Sequence, residues 1–130
     1  MELELVRLAD SLPVGLARPV GGPLQEHPMS PRPAGGLQIG DAVELYRGPK
    51  YTSRGTVQAT SVEREITGVK RGRETREDLL ETTNIAAAGD SGAPVLDSEG
   101  RVVGMLYAGS RDSSIVIPIE QIMAAFPEAF

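Results

Sequence analysis

Gly89-Asp90-Ser91-Gly92-Ala93-Pro94 decides how this chain is read. It lies between an apolar loop, Ile85-Ala86-Ala87-Ala88, and a stretch from Val95 to Tyr107 that has the pattern of a hairpin. A serine with glycines close on both sides, an acidic neighbour and a strand to follow is how a nucleophile is presented at a sharp turn. Glycine adopts backbone shapes that other residues resist, so Gly89 can aim its N–H at the space that the Ser91 hydroxyl faces. The expectation is a nucleophile, Ser91, with an oxyanion hole made by the N–H groups of Gly89 and Ser91, and Asp90 as the support of the loop.

The order of residues around the serine resembles the nucleophile loop of the trypsin-like serine proteases. Gly-Asp-Ser-Gly-Gly-Pro is the usual form there, and Ala93 departs from it at the fifth position. The resemblance continues through Val95-Leu96-Asp97, the turn Ser98-Glu99-Gly100, the strand Arg101 to Tyr107 and the small residues Ala108-Gly109-Ser110, and ends in a short helix. A lone Gly-Asp-Ser-Gly carries little weight, because polar turns of that composition arise anywhere; the order of the elements around it carries the match.

With 130 residues the chain has room for one modest core, about half of a two-barrel protease. Ten prolines and fifteen glycines, against two phenylalanines and no tryptophan, suit short strands joined by turns rather than a helical bundle. The fold expected is therefore all-β. Taken with the resemblance, it is a six-stranded antiparallel Greek-key barrel over residues 37–130 with a short C-terminal helix, preceded by an extended N-terminal arm over residues 1–36.

A formal charge of −5 speaks against nucleic acid and anionic membranes as partners, since both call for an excess of Lys and Arg. Nor is there an apolar run near 18 residues to span a membrane as a helix. Zero cysteines remove disulfides and thiolate metal sites. With one histidine and no phosphate-binding glycine loop, neither a metal nor a cofactor is expected. Met1-Glu2-Leu3-Glu4 lacks the basic and apolar regions of a secretory leader. A bacterial or intracellular branch of the family and a cytoplasmic setting are expected, a trimmed piece of a secreted protein being the other reading.

Along the chain, Glu2 to Leu8 alternates polar and apolar residues and runs into Asp10-Ser11-Leu12-Pro13, the pattern of a short strand and a turn. It is similar to the family strand Asp-x-Ala-Leu-x-x-Leu, which carries the catalytic aspartate. Leu5 and Leu8 match; Glu2 stands in the aspartate position and Glu4 replaces the alanine. The other reading is an edge strand with a solvated acidic face. Pro13 to Gly36, rich in proline and glycine, reads as a linker wrapped over a surface. It holds His27, which is either a solvated linker histidine or the base that a triad requires.

Asp41 to Arg47 alternates and meets the turn signal Gly48-Pro49, and Gly55 to Val62 is a second β-rich run. Glu65 to Asp78 mixes Lys70, Arg71, Arg73 and Arg76 with acids and no aromatic, and reads as a solvated hairpin loop. Leu79 to Thr82 resumes as a strand. Ile115-Val116-Ile117 is the last strand. Pro118 to Phe126 is a helix whose Ile119, Ile122, Met123 and Phe126 share one face.

The resemblance also implies a specificity pocket, with its floor at Ile85, six residues before the nucleophile, and one wall at Tyr107, Ala108 and Gly109. An apolar floor would strand a buried Arg or Lys side chain, so a neutral or apolar group is expected there; Ile85 as plain core is the alternative. In activated family members the residue matching Asp90 pairs with a new N-terminal amine, and Met1-Glu2 is not such an end. The family's histidine and aspartate belong to a first barrel. This chain alone is therefore expected to be nearly inert toward a peptide or protein substrate, the loss of a base costing about a millionfold in another serine protease. It is expected to be the nucleophile half of a protease or a binding module that keeps the barrel, with self-association or a missing barrel covering its open face.

Overall fold

The computed structural model describes residues 3–9, 12, 14–21, 30–48, 52–68, 72–87 and 89–130. Two strands come first, β1 (Leu3–Leu8) and β2 (Gly15–Pro19), paired antiparallel as a hairpin of their own. Six more follow: β3 (Ala42–Tyr46), β4 (Thr52–Gly68), β5 (Gly72–Thr83), β6 (Pro94–Leu96), β7 (Val102–Gly109) and β8 (Ser113–Pro118). They close in the order β3-β4-β5-β8-β7-β6, every neighbouring pair antiparallel, with β6 returning to β3 through Glu44 opposite Leu96 and Leu45 opposite Val95. Three successive strands with a later one returning beside the first is the Greek key. One short helix, α1 (Ile119–Ala125), follows β8. The fold is the all-β barrel with C-terminal helix that the sequence predicts.

Alternation puts Val43 and Leu45 of β3 on one face. They join Val57 of β4, Leu80 of β5, Val95 of β6, Val103 and Leu106 of β7 and Val116 of β8 in one buried cluster. A second cluster lies on the outside of the barrel. There Leu79, Ile115 and Ile117 meet the helix residues Ile119, Ile122 and Phe126 and the arm residues Ala9 and Leu12. Strand β8 is thus covered on both faces, which is why Ile115-Val116-Ile117 is a continuous apolar run and not an alternating one.

The arm departs from the linker reading in its first part. Residues 15–19 form β2, whose pairing with β1 supplies the backbone partners that both strands need. Further on, Pro31 bridges to Val102, and the Ala34 and Gly35 N–H groups donate to Glu120 of α1 at 2.9 and 3.1 Å. Arg32 donates to Asp97 at 3.2 Å. Within the stretch read as a loop, residues 65–68 and 72–78 differ from that reading: β4 and β5 continue as a two-stranded ribbon to Gly68 opposite Gly72, with bulges marked by left-handed backbone at Ser61 and Asp78.

Candidate active site

The segment between β5 and β6 is fastened at both ends. At its start the Ile85 N–H donates to Ser114 Oγ of β8 at 3.1 Å. At its end the Gly92 N–H donates to Leu106 O at 2.8 Å and the Leu106 N–H to Ala93 O at 2.9 Å. Between them the chain turns twice through left-handed glycines, Gly89 at φ +89° and Gly92 at φ +94°, a conformation that side chains resist.

Ser91 is exposed at the tip, and its Oγ donates to the carbonyl of Tyr107 at 3.2 Å. Among the described residues the N–H groups of Gly89 and Ser91 have no acceptor, whereas those of Asp90 and Ala93 close turns onto Ala87 O and Asp90 O. Backbone N–H groups of this kind are the donors that a developing oxyanion takes in acyl transfer.

Asp90 turns away from the tip and meets Arg47, just after β3. The arginine Nε and Nη2 donate to the same carboxylate oxygen at 2.8 and 2.6 Å, and the Ala87 N–H adds a third bond at 2.7 Å. Arg47 also reaches Ser53 Oγ at 2.6 Å and Ile85 O at 3.1 Å. The Arg47 guanidinium, with the Ala87 amide behind it, holds the Asp90 carboxyl below the usual carboxylate range against the opposing effect of burial. Arg47 in turn is pushed above its ordinary value by the same hydrogen bond. Sequence reasoning left Asp90 without a partner and read Arg47 as the end of a strand. The signal available was a lone arginine next to the turn glycine Gly48, and it does not say which acid the arginine meets.

Of the residues expected to form the pocket, Tyr107, Ala108 and Gly109 do line one, an open pocket of about 240 Å³ that Arg64 and Glu65 line as well. Ile85 lies elsewhere: its side chain is 3% exposed and packs inside the barrel with Val43, Leu45 and Val57. Glu2 and His27, the weak candidates for the acid and the base, lie outside the described residues. No group of three His, Cys, Asp or Glu side chains that could hold a metal occurs among the described residues.

Residues 3–105 match the family model of the trypsin-like peptidase domain. The chain belongs to that family. Solved structures of similar fold agree. Deg5 is 22% identical with a TM-score of 0.69, over 96% of this chain and 59% of that one. The HtrA-type protease AlgW, solved with a decapeptide, is 22% identical with a TM-score of 0.65, over 97% of this chain and 40% of that one. A glutamic acid specific serine protease is 21% identical with a TM-score of 0.63, over 95% of this chain and 71% of that one. This trypsin-like domain therefore spans less than two thirds of Deg5 and of AlgW. No curated relative matches it.

Proposed function

We propose that this chain is the nucleophile-bearing barrel of a serine endopeptidase. Ser91 attacks the peptide carbonyl, the Gly89 and Ser91 N–H groups receive the oxyanion, and Asp90 supports the loop. The observation that carries this reading is the exposed Ser91 hydroxyl beside two amides that have no acceptor among the described residues, on a loop fastened to the barrel at both ends. A hydroxyl is a poor nucleophile at neutral pH and needs a base. On this reading that base comes from a segment outside the barrel, with His27 the weaker candidate, so the chain alone is nearly inert. A peptide as occupant is supported by the decapeptide held by AlgW. The wall at Tyr107, Ala108 and Gly109 would receive it, a neutral or apolar side chain entering first.

The exposed Leu3, Leu5 and Val20 on the β1–β2 hairpin, at 59%, 60% and 50% exposure, support a further covering barrel or a second copy on the arm. Residues 1–36 then act as the arm and 37–130 as the catalytic barrel, in a cytoplasmic setting. The test is to join the chain to a preceding barrel segment that carries a histidine and an aspartate, and to follow peptide hydrolysis. Hydrolysis that vanishes in Ser91→Ala is the expected result. A completed, folded protein that binds peptide and cleaves none would make the domain a binding module instead.

A further inference from the structure

Away from Ser91 the barrel carries another pocket, of about 360 Å³, a size within the roughly 300–1,000 Å³ of small-ligand sites. Three parts of the chain build it: the arm at Ala34, Gly35 and Leu37, the β4–β5 ribbon around Ser61 and Asp78, and the segment from Pro118 into α1. Ser61 and Asp78 have left-handed backbone, at φ +54° and +58°, and mark bulges, which re-aim side chains. Ser114, which fixes the start of the nucleophile loop, and Pro118, which lines this pocket, lie toward opposite ends of β8, about 13 Å apart along the strand.

The three parts are tied to one another. Glu120 accepts the N–H groups of Ala34 and Gly35 from the arm, and Gln121 Nε2 donates to the carbonyls of Glu77 and Asp78 at 3.2 and 3.3 Å. A site held in this way loses little freedom when it is filled. Its lining is divided in chemistry. Leu37, Leu79 and Leu80 are buried and apolar, whereas Asp78 and Glu120 bring two carboxylates, and no Lys, Arg or His lines the pocket beside them. Among the described residues neither carboxylate has a cationic partner. Each Glu120 oxygen accepts one N–H and keeps a further lone pair. The Asp78 carboxylate accepts no hydrogen bond among the described residues.

An apolar occupant would take water from two carboxylates and return no hydrogen bond, and an acidic one would add repulsion. A small hydrated cation would leave the leucines unused. A lysine or arginine side chain serves both, laying its apolar stem along the leucines and bringing its charged head to the carboxylates. The formal charge of −5 favours the approach of such a group. We propose that this pocket docks a lysine or arginine side chain on an extended segment of a partner protein, at the end of the barrel away from the Ser91 loop. The site is independent of the reading of Ser91 as a nucleophile.

The test is an NMR titration of the isotope-labelled full chain with the capped peptide Ala-Ala-Lys-Ala-Ala and with counterparts carrying arginine, norleucine or glutamate in the middle. The lysine and arginine peptides are expected to move the amide resonances of Gly35, Ser61, Asp78 and Gln121, saturating with a Kd of about 1 mM, and to leave those of Ser91 and Gly109 in place. Norleucine keeps the stem without the charge, so its peptide is expected to bind at least about fivefold more weakly, and the glutamate peptide more weakly still. Asp78→Asn suits the left-handed backbone and is expected to weaken the lysine peptide at least about threefold. A smaller loss in any of these comparisons overturns the proposal. So does a lysine peptide that shows no saturable shift up to about 10 mM, or one that moves the amides of Tyr107 to Gly109 instead. Should Asp78→Asn unfold the barrel, the norleucine comparison on the unaltered chain decides alone. No step requires cleavage, so a chain that hydrolyses nothing tests the pocket equally well.

Discussion

Ser91 and Asp90 are neighbours in the chain and face opposite ways, one to solvent and one to Arg47. That division gives two predictions. Ser91→Ala removes an exposed hydroxyl with one bond to Tyr107 O, so it is expected to leave the unfolding midpoint unchanged while abolishing labelling by a fluorophosphonate in the completed protease, read by intact mass. The Asp90 carboxyl is depressed in the fold by Arg47 first and by the Ala87 amide second. A depressed acid contributes fully above its ordinary value, about 4, and the contribution is lost as pH falls through the lower folded value. The Ala87 amide resonance is therefore expected to hold its position from neutral pH down to about 5 and to move only below about 4. In Asp90→Asn it stays flat.

The paired strands β7 and β8 support the loop from behind, and one glycine lets them approach. Gly104 pairs with Pro118, and a Cβ at this site would lie 2.5 Å from Ile117 O and 2.5 Å from Val116 Cγ1. Backbone cannot yield as a flexible side chain does, so Gly104→Ala is expected to cost about 3 kcal/mol, measured by denaturant unfolding. Asp97 makes a comparable junction between the arm and the barrel. Burial pushes its carboxyl up, but the Arg101 and Glu99 amides and the Arg32 and Arg101 side chains outweigh that and hold it below its ordinary value. Asp97→Ala is expected to cost about 2–3 kcal/mol, as bonds to a buried charge are lost, and to raise hydrogen exchange at Arg32.

At the scale of the whole molecule two apolar clusters share β8, one inside the barrel and one outside it. The outer cluster is closed by Phe126, 2% exposed, with the Arg7 guanidinium 4.6 Å from its ring centroid. Arg7 also donates to Ala125 O and pairs with Glu128, both at 2.6 Å, so the first strand is tied to the last helix. Phe126→Ala is expected to lower stability by about 3–5 kcal/mol and to loosen the hairpin before the barrel, measured by denaturant unfolding with hydrogen exchange.

Much of this was legible in the sequence, because it rests on local pattern. Alternation in Asp41 to Arg47, the continuous run Ile115 to Ile117 and the helical spacing of Ile119, Ile122 and Phe126 each state which side is buried, and Gly89 and Gly92 mark turns that side chains resist. The hairpin partner of β1, the length of the β4–β5 ribbon, the burial of Ile85 and the pairing of Arg47 with Asp90 were decided only by tertiary structure. Proline and glycine around β2 masked a strand that exists because β1 needs a partner. Charge along the ribbon hid its strands, because interleaved acids and bases leave no apolar pattern to read. An isoleucine in a loop is apolar whether it lines a pocket or fills a barrel, and only the closure of the strands chooses. Arg47 and Asp90 are 43 positions apart, and no local rule tells an arginine at the end of a strand which carboxylate the folded barrel will bring to it.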